Sequence, residues 1–429
     1  MLLRFRFSNF RSFREEQELS LVAVPALKET NHTVVFHPHK AKEGVLPVAA
    51  IYGANASGKS NVIRALSFTL SVVANSYRGW KPDQPIRIEP FLEGRNDRAT
   101  ASRFEIDFLI DGIRHSYGFR LDAAAILEEW LHVYPKSKKQ SWFHRQVGKR
   151  ISFSAKMPGA NRVIEGLTRK NSLFLSAAAQ NNHEALMPVF EWLTGLRFVS
   201  DEITERIAYF ETTRLCAKPR SAKAVARLLR AADIGIVDLK VENEPYGEDV
   251  KKAMAAFYTA MEKDLPGDLP ESIPSIRLLH RLGKETLPFV EDNESAGTIA
   301  YLRVLGPVLK ALDEGGVLCI DELDASLHPL LASQILRLFN DPSTNRKGAQ
   351  LIFNTHDTTL LGRANLRRDQ IWFTEKSHDG SSHLYPLTDF KPRQNENLES
   401  GYLQGRYGAI PFLNPRAFLT QIERSNGKT

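Results

Sequence analysis

Residues 49–66 read AAIYGANASGKSNVIRAL. An apolar run ends at Tyr52, the next eight residues match G-x-x-x-x-G-K-[ST], and an apolar-faced segment follows from Asn61. LPVAAIY predicts a buried strand and SNVIRALSFTLSVVANS a helix. Between them, Gly53, Ala54, Asn55, Ala56, Ser57, Gly58, Lys59 and Ser60 form a loop whose backbone N–H groups can turn inward onto phosphate oxygens. Glycine is needed because the chain must approach its ligand closely, through dihedrals that a side chain resists. Lys59 would reach the β- and γ-phosphates, and the Ser60 hydroxyl would ligate Mg²⁺. The helix would add its positive N-terminal end.

Phosphoryl transfer also needs a carboxylate for the metal and a group that activates water. Residues 316–329, GVLCIDELDASLHP, supply both. Val317 to Ile320 predict a buried parallel strand that delivers Asp321 and Glu322 at its C-terminal end, where open α/β sheets hold ligands. Asp321 would support the Mg²⁺ shell, and Glu322 would polarise the attacking water. A tight turn follows from Leu323 to Pro329. Residues 349–357, AQLIFNTHD, then predict a second apolar strand ending at Asn354, Thr355, His356 and Asp357. A histidine so placed can hydrogen-bond a γ-phosphate or a catalytic carboxylate. Upstream, EDNESAGTIAYLRVLGPVLKALDEGG (291–316) predicts a long helix opened by Ser295 and Thr298 as caps. Gly297 would keep its backbone close to a neighbour, so a second helix N-terminus is offered to an anion.

With these four elements in this order, the chain resembles the ABC-type ATPase head, in the SMC, RecF and OLD-like branch rather than among transporters. The resemblance implies an α/β fold: a P-loop nucleoside-triphosphatase head with a mixed N-terminal β-subdomain and a short helical insertion. It sets Walker A at residues 53–60 with Asn61 beside it, the signature at Ser295, Ala296, Gly297 and Thr298, and Walker B at 317–322. The D-loop falls at 323–329, with Asp324 toward the nucleotide, and the switch histidine at His356. The opening FRFSNFRSFRE looks like the first strand and loop of that branch, which brings Arg11, Ser12 or Phe13 near the nucleotide. AIYGANASGKSN, ESAGT and GYLQGRYGAIPF (401–412) are similar to compact prokaryotic AAA-type ATP-binding proteins of the RloA and AbiL kind. Such proteins are often paired with a small RloB or Toprim-nuclease partner in anti-phage or abortive-infection systems. Two departures stand out. The signature lacks the second glycine and the glutamine of the transporter form. The Q-loop glutamine has no clear counterpart, Gln84 and Gln140 being candidates by position alone.

The resemblance implies that ATP is sandwiched between the Walker A of one copy and the signature of another, in a homodimer or larger homo-oligomer. Loss of the γ-phosphate would loosen the pair, making the ATPase a timer for a companion effector. The alternative is a RecF-like clamp that binds DNA directly. An OLD-type nuclease is disfavoured, because no Asp-x-Asp follows His356 and about 70 residues are too few for that domain. A scaffold that does not hydrolyse is disfavoured by Glu322.

The rest of the 429 residues frame these motifs. Hydrophobic residues make up 42% and charged residues 25%, ordinary for a globular chain of two or three domains. No run of about 20 apolar residues exists to span a membrane. MLLRFRFSNF alternates apolar and polar residues, predicting a strand rather than a signal peptide. Two cysteines, Cys216 and Cys319, suit a reducing cytoplasm. A net charge of +7 permits a nucleic-acid partner without requiring one. Residues 1–154 are expected to form the first lobe, with RFEIDFLIDGIRHSYGFRLD as a hairpin turning at Asp111–Gly112. Its core would come from Phe104, Ile106, Phe108 and Tyr117. Residues 155–280 are expected to form a helical insertion or lid, left through Pro266, Pro270 and Pro274, and residues 281–429 the second lobe. KSKKQSWFHRQVGKR (136–150) has six Lys or Arg around Trp142 and Phe143. It reads as a solvated hairpin tip before a phosphate- and base-binding one. Arg220, Lys223, Arg227 and Arg230 fall at helical spacing and read as a solvated face.

Overall fold

Alternation in LLRFRFS turns one side of the N-terminal segment apolar, and it forms a strand, β1 (Leu2–Ser8), with Phe5 and Phe7 fully buried. The computed structural model describes residues 1–27, 35–37, 44–91, 101–232, 235–245, 272–363, 366–394 and 396–411. β1 pairs antiparallel with β2 (Gln17–Ser20). The chain then lays down β3 (Val48–Gly53) and α1 (Lys59–Asn75). Five more strands follow: β4 (Ser102–Ile110), β5 (Ile113–Leu121), β6 (Ile126–Tyr134), β7 (Gln140–Gln146) and β8 (Ser152–Phe153). They complete a seven-stranded antiparallel sheet in the order β2-β1-β4-β5-β6-β7-β8. The β4–β5 turn is the expected Asp111–Gly112, with φ of 49° and 72°, the left-handed pair that a two-residue hairpin requires. Phe104, Ile106, Phe108 and Tyr117 are fully buried.

The inner face of that sheet packs on α1 and on α2 (Asn161–Leu167), α3 (Phe174–Gln180) and α4 (Met187–Thr194). A buried carboxylate ties these helices down. Glu129 of β6 accepts from the N–H groups of Phe174 (2.6 Å) and Leu175 (2.9 Å) and from the Tyr117 hydroxyl (3.0 Å). Burial raises its pKa, although Arg145 faces it at 3.6 Å.

Next come β9 (Arg197–Val199), α5 (Glu202–Cys216) and α6 (Pro219–Ala231). β10 (Ile236–Pro245), β11 (Ser272–Leu282) and β12 (Glu285–Phe289) form a separate three-stranded antiparallel sheet. The long helix α7 (Ala296–Glu314), β13 (Val317–Ile320), α8 (Pro329–Asn340), β14 (Gln350–Asn354), α9 (Thr359–Arg363), β15 (Ile371–Lys376), β16 (Ser382–Pro386) and α10 (Leu398–Leu403) complete the order. A six-stranded sheet, β16-β15-β3-β14-β13-β9, runs through the centre, parallel except for β16. Its strands are apolar on both faces because each face meets its own core. Ala49 and Ile51 of β3 face α1 and the antiparallel sheet. Val48, Ala50 and Tyr52 face the core of α5, α7 and α8.

Several expectations need correction. The stretch 155–280 is not wholly helical, nor separate from the central sheet. β9 is an edge strand of the central sheet, α5 lies against α7, and the chain beyond α6 turns to strand at Ile236. Pro274 marks no exit, because it sits within β11 opposite Asn243. β12 covers β11 over 278–282, so Pro274 leaves no ladder bond unmade on that side. Pro266 and Pro270 lie outside the described residues. In the basic hairpin, Phe143 is fully buried against Phe174 and Trp142 packs on the same core, which takes both rings away from base stacking. Arg220, Lys223, Arg227 and Arg230 are exposed along α6, as a solvated face would be. Among the described residues no helix is long and apolar enough to cross a membrane.

Candidate functional site

β3 ends at Gly53 (φ 155°), where a Cβ would stand 2.4 Å from the Thr374 carbonyl oxygen of β15. The loop then turns through Ala56 (φ 61°) and Gly58 (φ 113°) into α1. Gly58 caps that helix without a side chain; its carbonyl takes the Asn61 N–H at 2.9 Å, and the N–H groups of Lys59 and Ser60 are left to an outside acceptor. The other expected loop residues are anchored rather than free. Ser57 Oγ meets Thr374 Oγ1 at 2.6 Å. Lys59 Nζ folds back onto the carbonyls of Gly53 (2.8 Å) and Ala54 (2.9 Å). Burial lowers the Lys59 pKa to about 8, against the pull of Glu322, Asp324 and Asp321. The first half of the chain thus brings its one buried loop cation to the acids of the second.

Asn354 joins the halves. It is fully buried at the end of β14. Its Nδ2 donates to Ser60 Oγ (3.4 Å) and to Asp321 Oδ1, and its Oδ1 accepts from the Glu322 N–H at 2.5 Å. Hydroxyl and carboxylate oxygens therefore converge on one amide, a donor set that suits a hard cation such as Mg²⁺. Glu322 is held with φ 57°, a costly conformation for a non-glycine residue, by that bond. Asp324 Oδ2 accepts from the His356 N–H at 3.1 Å, which sets the loop after β14 against the turn after β13, and His356 itself is exposed. Asn61 donates to Ser12 Oγ at 2.9 Å and so braces the N-terminal loop. The Arg11 guanidinium is paired with Glu89 at 2.7 Å at the edge of that loop.

The second helix N-terminus stands elsewhere. Ser295 caps α7 by accepting from the Thr298 N–H at 3.1 Å, and Thr298 Oγ1 meets Ser295 Oγ at 2.9 Å. Gly297 lies against the turn after Asp324, where a Cβ would stand 3.1 Å from the Ser326 carbonyl oxygen. The start of α7 and the acids Asp321 and Glu322 line a cavity of about 410 Å³. Gly53, Ala54, Asn55, Ser57 and His356 line another of about 880 Å³. Ser295 and Lys59 share neither. A third cavity, about 690 Å³, lies over the outer face of the antiparallel sheet, where Arg103–Glu105 and His144–Glu128 are already paired.

Sequence reasoning gave no role to three contributors. Asn354 and Thr374 are each a polar residue closing or interrupting an apolar strand, a signal readable in LIFN and IWFT. The tail motif, singled out in the sequence with no role assigned, supplies Tyr402, Leu403, Ala409, Ile410 and Pro411 to the wall of the larger cavity.

A family model described as "AAA domain, putative AbiEii toxin, Type IV TA system" matches residues 48–362, well over half of the chain. Among solved structures, the crystal structure of an Smc head bound to the C-terminal winged-helix domain of ScpA is similar. It covers 90% of this chain and 96% of that one, at 14% identity and a TM-score of 0.41. No curated protein matches.

Proposed function

The chain belongs to the AAA-domain family of AbiEii-toxin type, and on that footing we propose that it binds and hydrolyses ATP with Mg²⁺ between two of its own copies. One observation carries the reading: Asn354 gathers Ser60, Asp321 and the Glu322 backbone around a single point beside Lys59. The roles follow from the chemistry of each group. Lys59 exchanges the carbonyls of Gly53 and Ala54 for phosphate oxygens and neutralises charge on them. The free N–H groups opening α1 hold the β-phosphate. Ser60 and Asp321 hold Mg²⁺, which when bound would neutralise charge developing on the transferred phosphoryl group. Glu322, fixed by its own N–H, orients the attacking water and takes its proton. His356, with its backbone set by Asp324, stands at the rim to meet the γ-phosphate. Ser295 and the α7 N-terminus come from a second copy, because in one copy α7 opens at Ala296 into a cavity other than the one over Gly53 and Ala54.

Nothing in this machinery acts on a further substrate, so the cycle serves as a timer for a companion effector. We take that effector to be a nuclease-like partner in defence against phage, a role that suits the abortive-infection character of the family name. Glu322→Gln is the test. It preserves shape and removes the base, so turnover should fall about 1000-fold while ATP binding persists. Full turnover in this variant would refute the assignment.

A further inference from the structure

The tail motif GYLQGRYGAIPF plays no part in the roles above, yet it stands beside the phosphate loop. After α10 the chain doubles back through Gly405 (φ 76°), Gly408 (φ 65°) and Ala409 (φ 56°). A left-handed alanine is strained and persists where its surroundings over-determine it. They do so here. Tyr402 Oη donates to the Ala409 carbonyl (3.0 Å), Tyr385 Oη to the Tyr407 carbonyl (3.0 Å), and Tyr407 Oη to Glu396 (2.5 Å). The rings of Tyr402 and Tyr407 stack on Phe373 of β15 at 5.4 and 5.8 Å. At Gly408 a Cβ would stand 2.8 Å from Tyr385 Oη. The result is a rigid hook that presents Leu403, Ile410 and Pro411 to the cavity over Gly53, Ala54 and Asn55. Leu403 is 61% exposed there.

We infer that this hook is the seat on which a second copy of the chain docks when it closes over the nucleotide, and that the docking piece is the acidic turn before α7. The inference rests on the composite-site reading above. Apolar groups held rigidly at the mouth of this cavity fit a protein surface better than water. Charge selects which surface. The cavity carries the exposed Lys376, while the Glu375 carboxylate is engaged by Tyr385 Oη (3.2 Å) and the Ala409 N–H (3.4 Å). The turn before α7 carries exposed Glu291 and Asp292 directly ahead of exposed Ser295. Delivering Ser295 to the phosphates of another copy brings that turn to Lys376 and the hook.

Sedimentation velocity in the Glu322→Gln background, with and without ATP, tests this. The parent should dimerise with ATP. Leu403→Glu should weaken that dimer at least about tenfold, leaving the melting curve unchanged. Lys376→Glu should weaken it too, and adding Asp292→Lys to the same chain should restore it. An unaltered dimer in Leu403→Glu overturns the seat while the composite site stands. Weakening by Lys376→Glu without rescue by Asp292→Lys overturns the acidic turn as the docking piece. A parent that never dimerises with ATP overturns both the seat and the composite site.

Discussion

The two helix N-termini that the sequence offered to an anion are built differently. α1 opens on Gly58, which has no side chain to cap it, with Lys59 as its first residue and the oxygens of Ser60 and Asp321 close by on Asn354. α7 opens on Ser295, whose hydroxyl already occupies one N–H of its first turn, behind a run of acids and no base. Its glycine is committed to the Ser326 carbonyl of the same chain. In the function proposed above, the first terminus receives the triphosphate. The second can only complete a cradle whose positive charge is supplied by another element. A helix dipole and a small cap contribute about 1–2 kcal/mol of attraction, less than a buried lysine with N–H donors beside it.

That asymmetry predicts unequal damage. Lys59→Ala should cost the most, lowering ATP affinity about 100-fold in a direct binding assay, because the paired charge is lost from the cradle. A smaller loss would mean that α1 and its loop suffice. Ser295→Ala should leave ATP binding to the isolated copy intact and lower turnover about tenfold in a steady-state assay. It also removes a cap, worth about 1 kcal/mol in a melting experiment, so the binding measurement separates the two effects. Equal losses of binding in both variants would erase the distinction between the termini.

The smallest effect comes from pH. Free Lys59 loses its proton near pH 8, while bound phosphate favours the charged form. ATP affinity should therefore be flat below pH 8 and fall up to about tenfold for each pH unit above it. Lys59→Arg should flatten the profile. For stability the sign is opposite. The unfolded lysine keeps its ordinary value of 10.5, so between about 8 and 10.5 the unfolded chain binds more protons. Lys59 thus makes folding more favourable as pH rises through that window, which urea titrations at several pH values can measure.

How much of this was legible depended on how local each feature is. The strand–loop–helix at 48–75 and the Asp111–Gly112 hairpin are set by neighbours in sequence, and glycine placement alone marks their turns. Strand β13 was readable because four apolar residues end at two acids. β9 was not, since three residues pair with β13 more than 100 positions away and carry no period of their own. Asn354 was visible as a polar residue on an apolar strand. Its partners Ser60 and Asp321 come from two other elements, so its role emerged only with the fold. The hook is the extreme case: its left-handed Ala409 is allowed by tyrosines and a glutamate drawn from 375–407, and no spacing encodes that.

Mixing two inactive variants tests the composite site most directly. Lys59→Ala copies keep a sound α7 terminus, and Ser295→Arg copies keep a sound phosphate loop. In a twofold pair, an equal mixture places half the molecules in mixed dimers, each with one intact site. Turnover should therefore recover to about a quarter of the unaltered protein's value. A mixture no more active than the mean of its two parents would show that each nucleotide is held and cleaved within a single copy.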